Sequence, residues 1–345
     1  MFFTLNIMGF EDFLNTPIKV GEKTLKNRLV LSPMASLTTI ALRKVISNFS
    51  LPGLLYTEMC LAKIVPTENK EKSTVFRWRE AEEDILVCQI VGNEQEHMVK
   101  AAQRIEEEGL FGVDINMGCS ISRLCKKGYG ASLLREPDKA IQIVSSIRKA
   151  VNIPILVKFR TGWDDDPRFP MEFAKKLEDA GADGLIFHPR VAPDVRNRQP
   201  KWEYISLVKK SVSIPVFGNG NVFSKEHVKK MLELTGCDGI ALGRISAVRP
   251  WIFAEILDDF VPTPETFYTT ASEMLEEIFT YFEPNRAVKL YKKWSFYFYS
   301  NFFYGHSLLK SILKSNSYQE LKEAIKKTLI PLPKLNAIPN LNFLH

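Results

Sequence analysis

"PILVKFRTGWDDDPRFPMEFAKKLEDAGADGLIFHPR", residues 154–190, contains the unit from which the fold is read. It opens on an apolar β-rich run, PILVKFRTG, passes through a helix-like stretch, PMEFAKKLEDAG, and returns through GADG to a second apolar run, GLIFHPR. A strand, a helix and a second strand of the same character form a βαβ unit with parallel strands. Similar runs recur at residues 27–34 (NRLVLSPM), 54–59 (LLYTEM), 85–92 (ILVCQIVG), 112–118 (GVDINMG), 215–222 (PVFGNGNV) and 239–245 (GIALGRI), which brings the strands to eight. Between most of them lie helix-like stretches, among them NEQEHMVKAAQRIEEEG, PDKAIQIVSSIRKAV, WEYISLVKKSV and SKEHVKKMLELTG. Eight nearly continuous apolar strands alternating with helices predict a parallel (β/α)8 TIM barrel, with a doubly wound sheet as the alternative. FGVD, GADG and GCDG mark equivalent helix-to-strand turns, so the repetition is one fold period and not a duplication of domains.

After Pro250 the pattern changes. DDFVPTPETF carries two prolines and reads as a connector, and ASEMLEEIFTYF, NRAVKLYKKWSFYFYSNFF and SYQELKEAIKKTL beyond it are helical in pattern. The expected division is a barrel over residues 1–260 and a small helical domain over residues 265–345. A chain of 345 residues, 45% hydrophobic and 25% charged, is long enough to bury a core of that size.

Composition narrows the setting. No apolar run reaches the ~20 residues of a membrane-spanning helix, and MFFTLNIMGFEDF lacks the basic flank and small-residue cleavage site of a signal peptide, so a cytoplasmic protein with no membrane partner is expected. The five cysteines, at 60, 88, 119, 125 and 237, form no paired framework and no zinc pattern, so reduced thiols and no metal are expected. Oligomeric state is not written in the sequence, and a monomer is the default. Charge is uneven: from Arg286 to Ile330 nine Lys or Arg stand against Glu320 and Glu323, a net of +7 against +6 for the whole chain. A basic segment on a neutral body fits either a polyanionic partner or a solvated helix face. Residues 291–304, YKKWSFYFYSNFFY, hold nine aromatics; most read as helix core, with Lys292 and Lys293 on the exposed side.

In such a barrel the strand-to-helix loops converge on one mouth at the C-terminal strand ends. Polar groups collect there: Ser32 and Thr38 after the first strand, Glu58 after the second, Gln89 and Asn93 in the third, Asn116 and Cys119 after the fourth. Lys158 and Arg160, His188 and Arg190, Asn219 and Asn221, and Arg244 follow in the remaining four. One such residue is most often structural; their joint occurrence at corresponding positions points to a site.

Taken together, LSPMASLTT, TEM, VCQIVG, DINMGCS with KKGYGASLLREP, VKFRTGWDD, GNGNV, and CDGIALGR with PWIF resemble the dihydrouridine synthase family, flavoenzymes that reduce uridine in transfer RNA. The resemblance covers nearly the whole chain. It implies FMN held by Pro33, Met34 and Ala35, by Gln89, Lys158 and His188, and by Asn219, Gly220, Asn221, Gly243 and Arg244. It further implies that Asn116 and Arg160 meet uracil or its ribose and that NADPH or NADH supplies the electrons; the basic charge of the helical domain, Lys292 and Lys293 included, is expected to bind tRNA or other structured RNA. Hydride would pass from flavin N5 to C6 of uracil and a proton from Cys119 to C5. The roles suit the residue types. An ammonium stabilises an anionic reduced flavin, a carboxamide matches the donors and acceptors of the isoalloxazine edge, and glycines let backbone amides approach phosphate. A thiol of ordinary pKa, roughly 8.5, is mostly protonated near neutral pH and can act as an acid. The glycines at 118, 128 and 130 would let the Cys119 loop move.

Four positions depart from the family pattern: Ser120 for proline, Pro189 for glycine, Asn221 for a frequent aspartate, and Ile245 for the second glycine of the eighth-strand loop, where it would put a bulky side chain near the phosphate. Cys125, among Arg123, Lys126 and Lys127, has neighbours that would favour its thiolate if close in space, yet the family gives it no chemistry. Two competing readings remain: a small-molecule flavoenzyme of the old-yellow-enzyme or dihydroorotate-dehydrogenase kind, against which the basic tail argues, and a flavin-free RNA-binding descendant, against which Gln89, Lys158, Cys119 and Arg244 together argue.

Overall fold

A computed structural model describes residues 9–194 and 198–340. The chain divides into two compact units. The first comprises Met1–Pro33, Pro52–Val222 and Glu226–Leu242; the second comprises Met34–Leu51, Phe223–Lys225 and Gly243–His345.

The first unit is a barrel of parallel strands. In chain order its strands are an N-terminal antiparallel pair, β1 (Ile18–Val20) and β2 (Lys23–Leu25), then β3 (Leu29–Leu31), β4 (Leu55–Tyr56), β5 (Cys60–Leu61), β6 (Leu86–Val91), β7 (Gly112–Met117), β8 (Ile155–Gly162), β9 (Gly184–Val191), β10 (Val216–Asn219) and β11 (Gly239–Leu242). The main sheet runs β3-β11-β10-β9-β8-β7-β6-β4, with β5 added beside β6. It closes on itself: Val30 bridges Leu54 in parallel, and Leu31 N–H donates to the Leu54 carbonyl over 2.9 Å. Each of the eight apolar runs read from the sequence contains one of these barrel strands. They are legible because both faces are covered; every residue of β6 and β7 is buried.

The period of the barrel is set at its helix-to-strand turns. Gly109, Gly181 and Gly236 take positive φ (75°, 99° and 65°) just past helices Gln95–Glu107, Arg168–Asp179 and Lys225–Thr235, the conformation that ends a helix most cheaply with glycine. Three residues later each turn delivers a glycine that begins a strand. At Gly112 a Cβ would lie 2.5 Å from the Pro154 carbonyl oxygen, and at Gly239 2.4 Å from that of Arg28, so the close approach of neighbouring backbones excludes any other residue. The aspartates of GADG and GCDG play equivalent parts. Asp183 accepts from the N–H of Ile155 and Asp238 from that of Val216, both over 2.8 Å, and each pins the start of the neighbouring strand.

The β1–β2 hairpin was not legible in the sequence, because three-residue strands carry no usable alternation. It adds Val20 and Leu25 to a core shared with Val30, Leu54, Tyr56, Val87, Leu156, Ile186 and Phe217, at the end where the strands begin. That core leaves the opposite, C-terminal ends of the strands for polar side chains.

The second unit is helical. Thr263 caps the helix Pro264–Tyr281, with Pro264 in its first turn, and helices Pro284–Phe298, Gly305–Lys314 and Tyr318–Leu329 follow. A further helix, Ile40–Ser47, was not anticipated; it is capped by Thr39 and joins this unit despite following the first barrel strand in sequence. The aromatic run explains itself as core: Tyr291, Trp294, Phe298, Tyr299 and Phe302 are buried, and Trp294 stacks on Phe298 with ring centroids 4.7 Å apart. Phe296, Phe303 and Tyr304 stay exposed. No described helix is long and apolar enough to cross a membrane.

Candidate active site

Alternation along the strands, two residues per repeat, puts Asp114 and Asn116 of β7 on one face, and likewise Lys158 and Arg160 of β8. The ladder pairs Gln89 of β6 with Asp114, and Asn116 with Lys158. Four of the sequence-predicted residues, Gln89, Asn116, Lys158 and Arg160, thus come from three adjacent strands, and Cys119 follows directly from β7.

Their hydrogen bonds form a chain with one direction. The backbone N–H of Cys119 donates to Asn116 Oδ1 over 2.9 Å, as does that of Gly118 over 3.2 Å. Asn116 Nδ2 donates to Gln89 Oε1 over 2.8 Å, and Gln89 Nε2 donates to Asp114 Oδ2 over 2.7 Å. Two peptide N–H groups can only donate, so they turn the Asn116 oxygen toward the loop and its Nδ2 toward Gln89 Oε1, which leaves Gln89 Nε2 to donate to Asp114 Oδ2. Asn116 therefore has its oxygen committed to the cysteine loop, and only one N–H is left for a ligand.

Asp114 is fully buried, and among the described residues its second oxygen, Oδ1, has no partner; the hydroxyl of Tyr56, also buried, likewise has none among them. Burial pushes the Asp114 carboxyl up to about 7, against the opposing effects of the Gln89 hydrogen bond and of Lys158. Burial, reinforced by Arg160, pushes the Lys158 ammonium down to about 8, with Asp114 opposing. Lys158 is half-buried and makes no hydrogen bond among the described residues. Asp114 was missed in the sequence reading, although an acid as the third residue of the apolar run GVDINM was a signal in plain view.

On the next strands, Arg190 is buried and binds His188 Nε2 over 2.9 Å and Asn221 Oδ1 over 3.0 Å. A guanidinium only donates, so Nε2 accepts and a neutral ring carries its proton on Nδ1. Asn219 Nδ2 bonds the Ala241 carbonyl and Ser32 Oγ. Gly220, at φ 121°, approaches the His188 ring so closely that a Cβ would sit 2.8 Å from Cδ2. Asn221, at φ 53°, occupies the left-handed region that asparagine tolerates, and its side chain bonds both Arg190 and Gln199. Pro189 falls where the β8–β9 register shifts, between Arg160 and Gly162, so its missing N–H costs the ladder little.

The cysteine loop is fastened on both sides. Ala131 N–H donates to the Cys119 carbonyl over 2.9 Å, and Trp163 Nε1 to the Ala131 carbonyl over 2.8 Å. Gly130, at φ 62°, is used for close approach, since a Cβ there would meet the Cys119 oxygen at 2.5 Å. Cys119 is half-buried, and Cys125 Sγ lies 3.6 Å from its carbonyl oxygen. The basic flank of Cys125 does not act as its sequence neighbourhood suggested. Arg123, Lys126 and Lys127 are exposed, and burial, then the proximity of Cys119, pushes the Cys125 thiol up.

Pro33 is half-buried in the first unit, whereas Met34, Ala35, Gly243, Arg244, Lys292 and Lys293 belong to the second. There Arg244 lies 5.2 Å from the centre of the Phe223 ring, and Lys293 Nζ donates to the Ala35 carbonyl over 3.1 Å. Lys292 Nζ reaches Asn316 Oδ1 over 3.3 Å. Ile245 does not place its side chain in a phosphate loop: it is part of helix Arg244–Val248 and fully buried. Among the described residues no group of three or more His, Cys, Asp or Glu is arranged to hold a metal ion.

The Asp114–Lys158 tier makes stability depend on pH with two opposite slopes. Between the ordinary carboxyl range and about 7 the folded protein keeps an Asp114 proton that the unfolded chain has lost, so stability falls as pH rises. Between about 8 and the ordinary lysine range the unfolded chain keeps a Lys158 proton that the folded one has lost, so stability rises with pH. Urea titrations of the flavin-free protein should show a minimum between the two limbs, with Asp114→Asn flattening the acid limb and Lys158→Met the alkaline one. A wild-type curve without either limb would contradict this assignment.

Comparison with known proteins agrees with this geometry. A family model described as dihydrouridine synthase (Dus) matches residues 30–330. The chain is 33% identical over 322 residues to a probable tRNA-dihydrouridine synthase 1 of Synechocystis sp., covering 91% of this chain and 89% of that one. It is 37% identical over 248 residues to tRNA-dihydrouridine synthase B of Pseudomonas aeruginosa, covering 72% and 74%. Among solved structures, the old yellow enzyme from Trypanosoma cruzi aligns with a TM-score of 0.53 at 13% identity over 76% of this chain and 97% of that one. A 2-naphthoyl-CoA reductase aligns with a TM-score of 0.58 at 13% identity over 97% and 72%. Those two likenesses speak for the barrel; the sequence matches, which extend across the strand ends and the cysteine loop, go further, and the chain belongs to the dihydrouridine synthase family.

Proposed function

We propose that this protein reduces uridine in transfer RNA to 5,6-dihydrouridine, with FMN as its resident cofactor and NADPH or NADH as reductant. Lys158 carries the proposal: a desolvated cation without an acceptor, in a tier whose other polar groups largely satisfy one another. An electron-rich heterocycle edge suits it, and Lys158 would hold the flavin there while favouring the anionic reduced form. Gln89 keeps one N–H and one lone pair for the same edge after its bonds to Asp114 and Asn116. The Asn219–Asn221 turn, where Gly220 leaves no room for a Cβ, would present backbone N–H groups to the phosphate, with His188 donating from Nδ1. Pro33, Met34, Ala35, Gly243 and Arg244 complete the cofactor set by family resemblance.

When bound, FMN supplies the hydride that C6 of the uracil ring receives. Cys119 holds the proton that C5 then needs: its S–H bond breaks as the C5–H bond forms, and the sulfur recovers a proton from water. Asn116 offers its remaining N–H to the base. Arg160, whose guanidinium reaches the carbonyls of Val191 and Ala192 over 3.3 and 3.4 Å, would meet uracil or its ribose by family resemblance. On the second unit, Lys292 and Lys293 would contact RNA phosphates.

Single-turnover reaction of pre-reduced enzyme with unmodified tRNA separates the roles. Cys119→Ala should retain FMN and its reduction by NADPH yet form product slower by about 100-fold or more. Cys125→Ala should react at nearly the wild-type rate, and near-normal product from Cys119→Ala would move the acid elsewhere. The double variant Lys292→Glu/Lys293→Glu should bind tRNA more weakly and with a shallower salt dependence, by about one to two units of slope. Unchanged affinity and slope would remove these lysines from the interface.

A further inference from the structure

We infer that Asp114 is a positioning residue for the cysteine loop, acting as the fixed end of the hydrogen-bond chain that runs through Gln89 and Asn116 to the backbone N–H of Cys119. The inference deepens the proposed reaction and rests on it for the role of Cys119. Asp114 touches neither the base nor the thiol; what it controls is direction. Neither carboxamide has an intrinsic preference for which end faces which neighbour. In one orientation Asn116 presents oxygen to the N–H groups of Gly118 and Cys119, 3.2 and 2.9 Å away. In the other it presents an NH2 group to two N–H donors, which repels the loop. An acceptor at position 114 reinforces the first orientation from the far end, because Gln89 then donates inward and accepts from Asn116, and its loss loosens the hold of Asn116 on the two loop N–H groups.

The environment makes that selection binding. Asp114, Gln89 and Asn116 are 0%, 1% and 8% exposed, so water cannot readily replace a lost partner. Gln89 is further fixed by its backbone, whose N–H donates to Thr57 Oγ1 over 3.1 Å. The charged and titratable groups facing Asp114 are Lys158 and the hydroxyl of Tyr56. Neither is hydrogen-bonded to the carboxylate, so Gln89 is its one hydrogen-bond partner among the described residues.

The direct readout is the Cys119 amide itself. In flavin-free protein labelled with 15N at cysteine, hydrogen exchange of that amide should accelerate about tenfold in Asp114→Leu, which removes the acceptor at similar volume. Asp114→Asn, which keeps an acceptor oxygen, should restore exchange to within about threefold of wild type. The amides of Cys60, Cys88 and Cys237 report general loosening in the same spectra and should not move. If Asp114→Leu does not fold, Gln89→Met breaks the same chain one link later and should deprotect the same amide. In single turnovers, Asp114→Leu and Asn116→Ala should each slow product formation, and their double variant should be hardly slower than either alone. Unchanged Cys119 exchange in a folded Asp114→Leu or Gln89→Met protein overturns the inference. Deprotection of that amide in a protein that makes no dihydrouridine would leave the inference standing and overturn the reaction assigned to it.

Discussion

An ammonium group and a carboxylate stand on neighbouring, largely apolar strands of the barrel, and neither satisfies the other by a direct hydrogen bond. Lys158 and Asp114 are each pushed toward their neutral forms by burial and each pulled back by the opposite charge. Such an arrangement costs stability, since a buried charge without a close partner is among the most destabilising features a core can carry. The rest of the structure accommodates it. The hairpin β1–β2 seals the opposite end of the barrel, an apolar layer fills the lower interior, and the β-strands bring their polar residues to one level. A site that binds an electron-rich ring beside Lys158 turns that cost into affinity, and this is why the two opposed charges are read as function.

The same tier links two things that the reaction requires together. In the proposed reaction Lys158 would face the cofactor, while Asp114, two residues before Asn116 on the neighbouring strand, is linked through Gln89 and Asn116 to the loop that carries Cys119. Gln89 belongs to both, since it bonds the carboxylate and Asn116 and still has capacity toward the flavin edge. On the proposed reaction, cofactor and proton donor would be aligned through one set of buried bonds, and small errors of placement at either end would cost rate.

Much of this was legible from the residues. The barrel strands were readable because a strand covered on both faces is an apolar run, and the polar exceptions at their ends are the residues that the proposed site is built from. What escaped had physical reasons. β1 and β2 are three residues each, too short for alternation to register, and helix Ile40–Ser47 follows so soon after the first strand that its own pattern was merged with the loop. Position in a helix, invisible in a string of letters, took Ile245 into a core. The flanking bases of Cys125 misled because a four-residue helix, Ser122–Cys125, lets its neighbours turn outward. Asp114 escaped because its importance lies in a partner 25 residues away on another strand, which only the ladder reveals.

Mass-spectrometric mapping of dihydrouridine in transfer RNA from cells that lack this gene, against the same cells carrying it again, tests the product without assuming any residue's role. Loss of dihydrouridine from at least one tRNA position, restored by the gene, is the result expected. An unchanged set of dihydrouridines, with every position still modified, would contradict the assignment of uridine in tRNA as the substrate of this barrel.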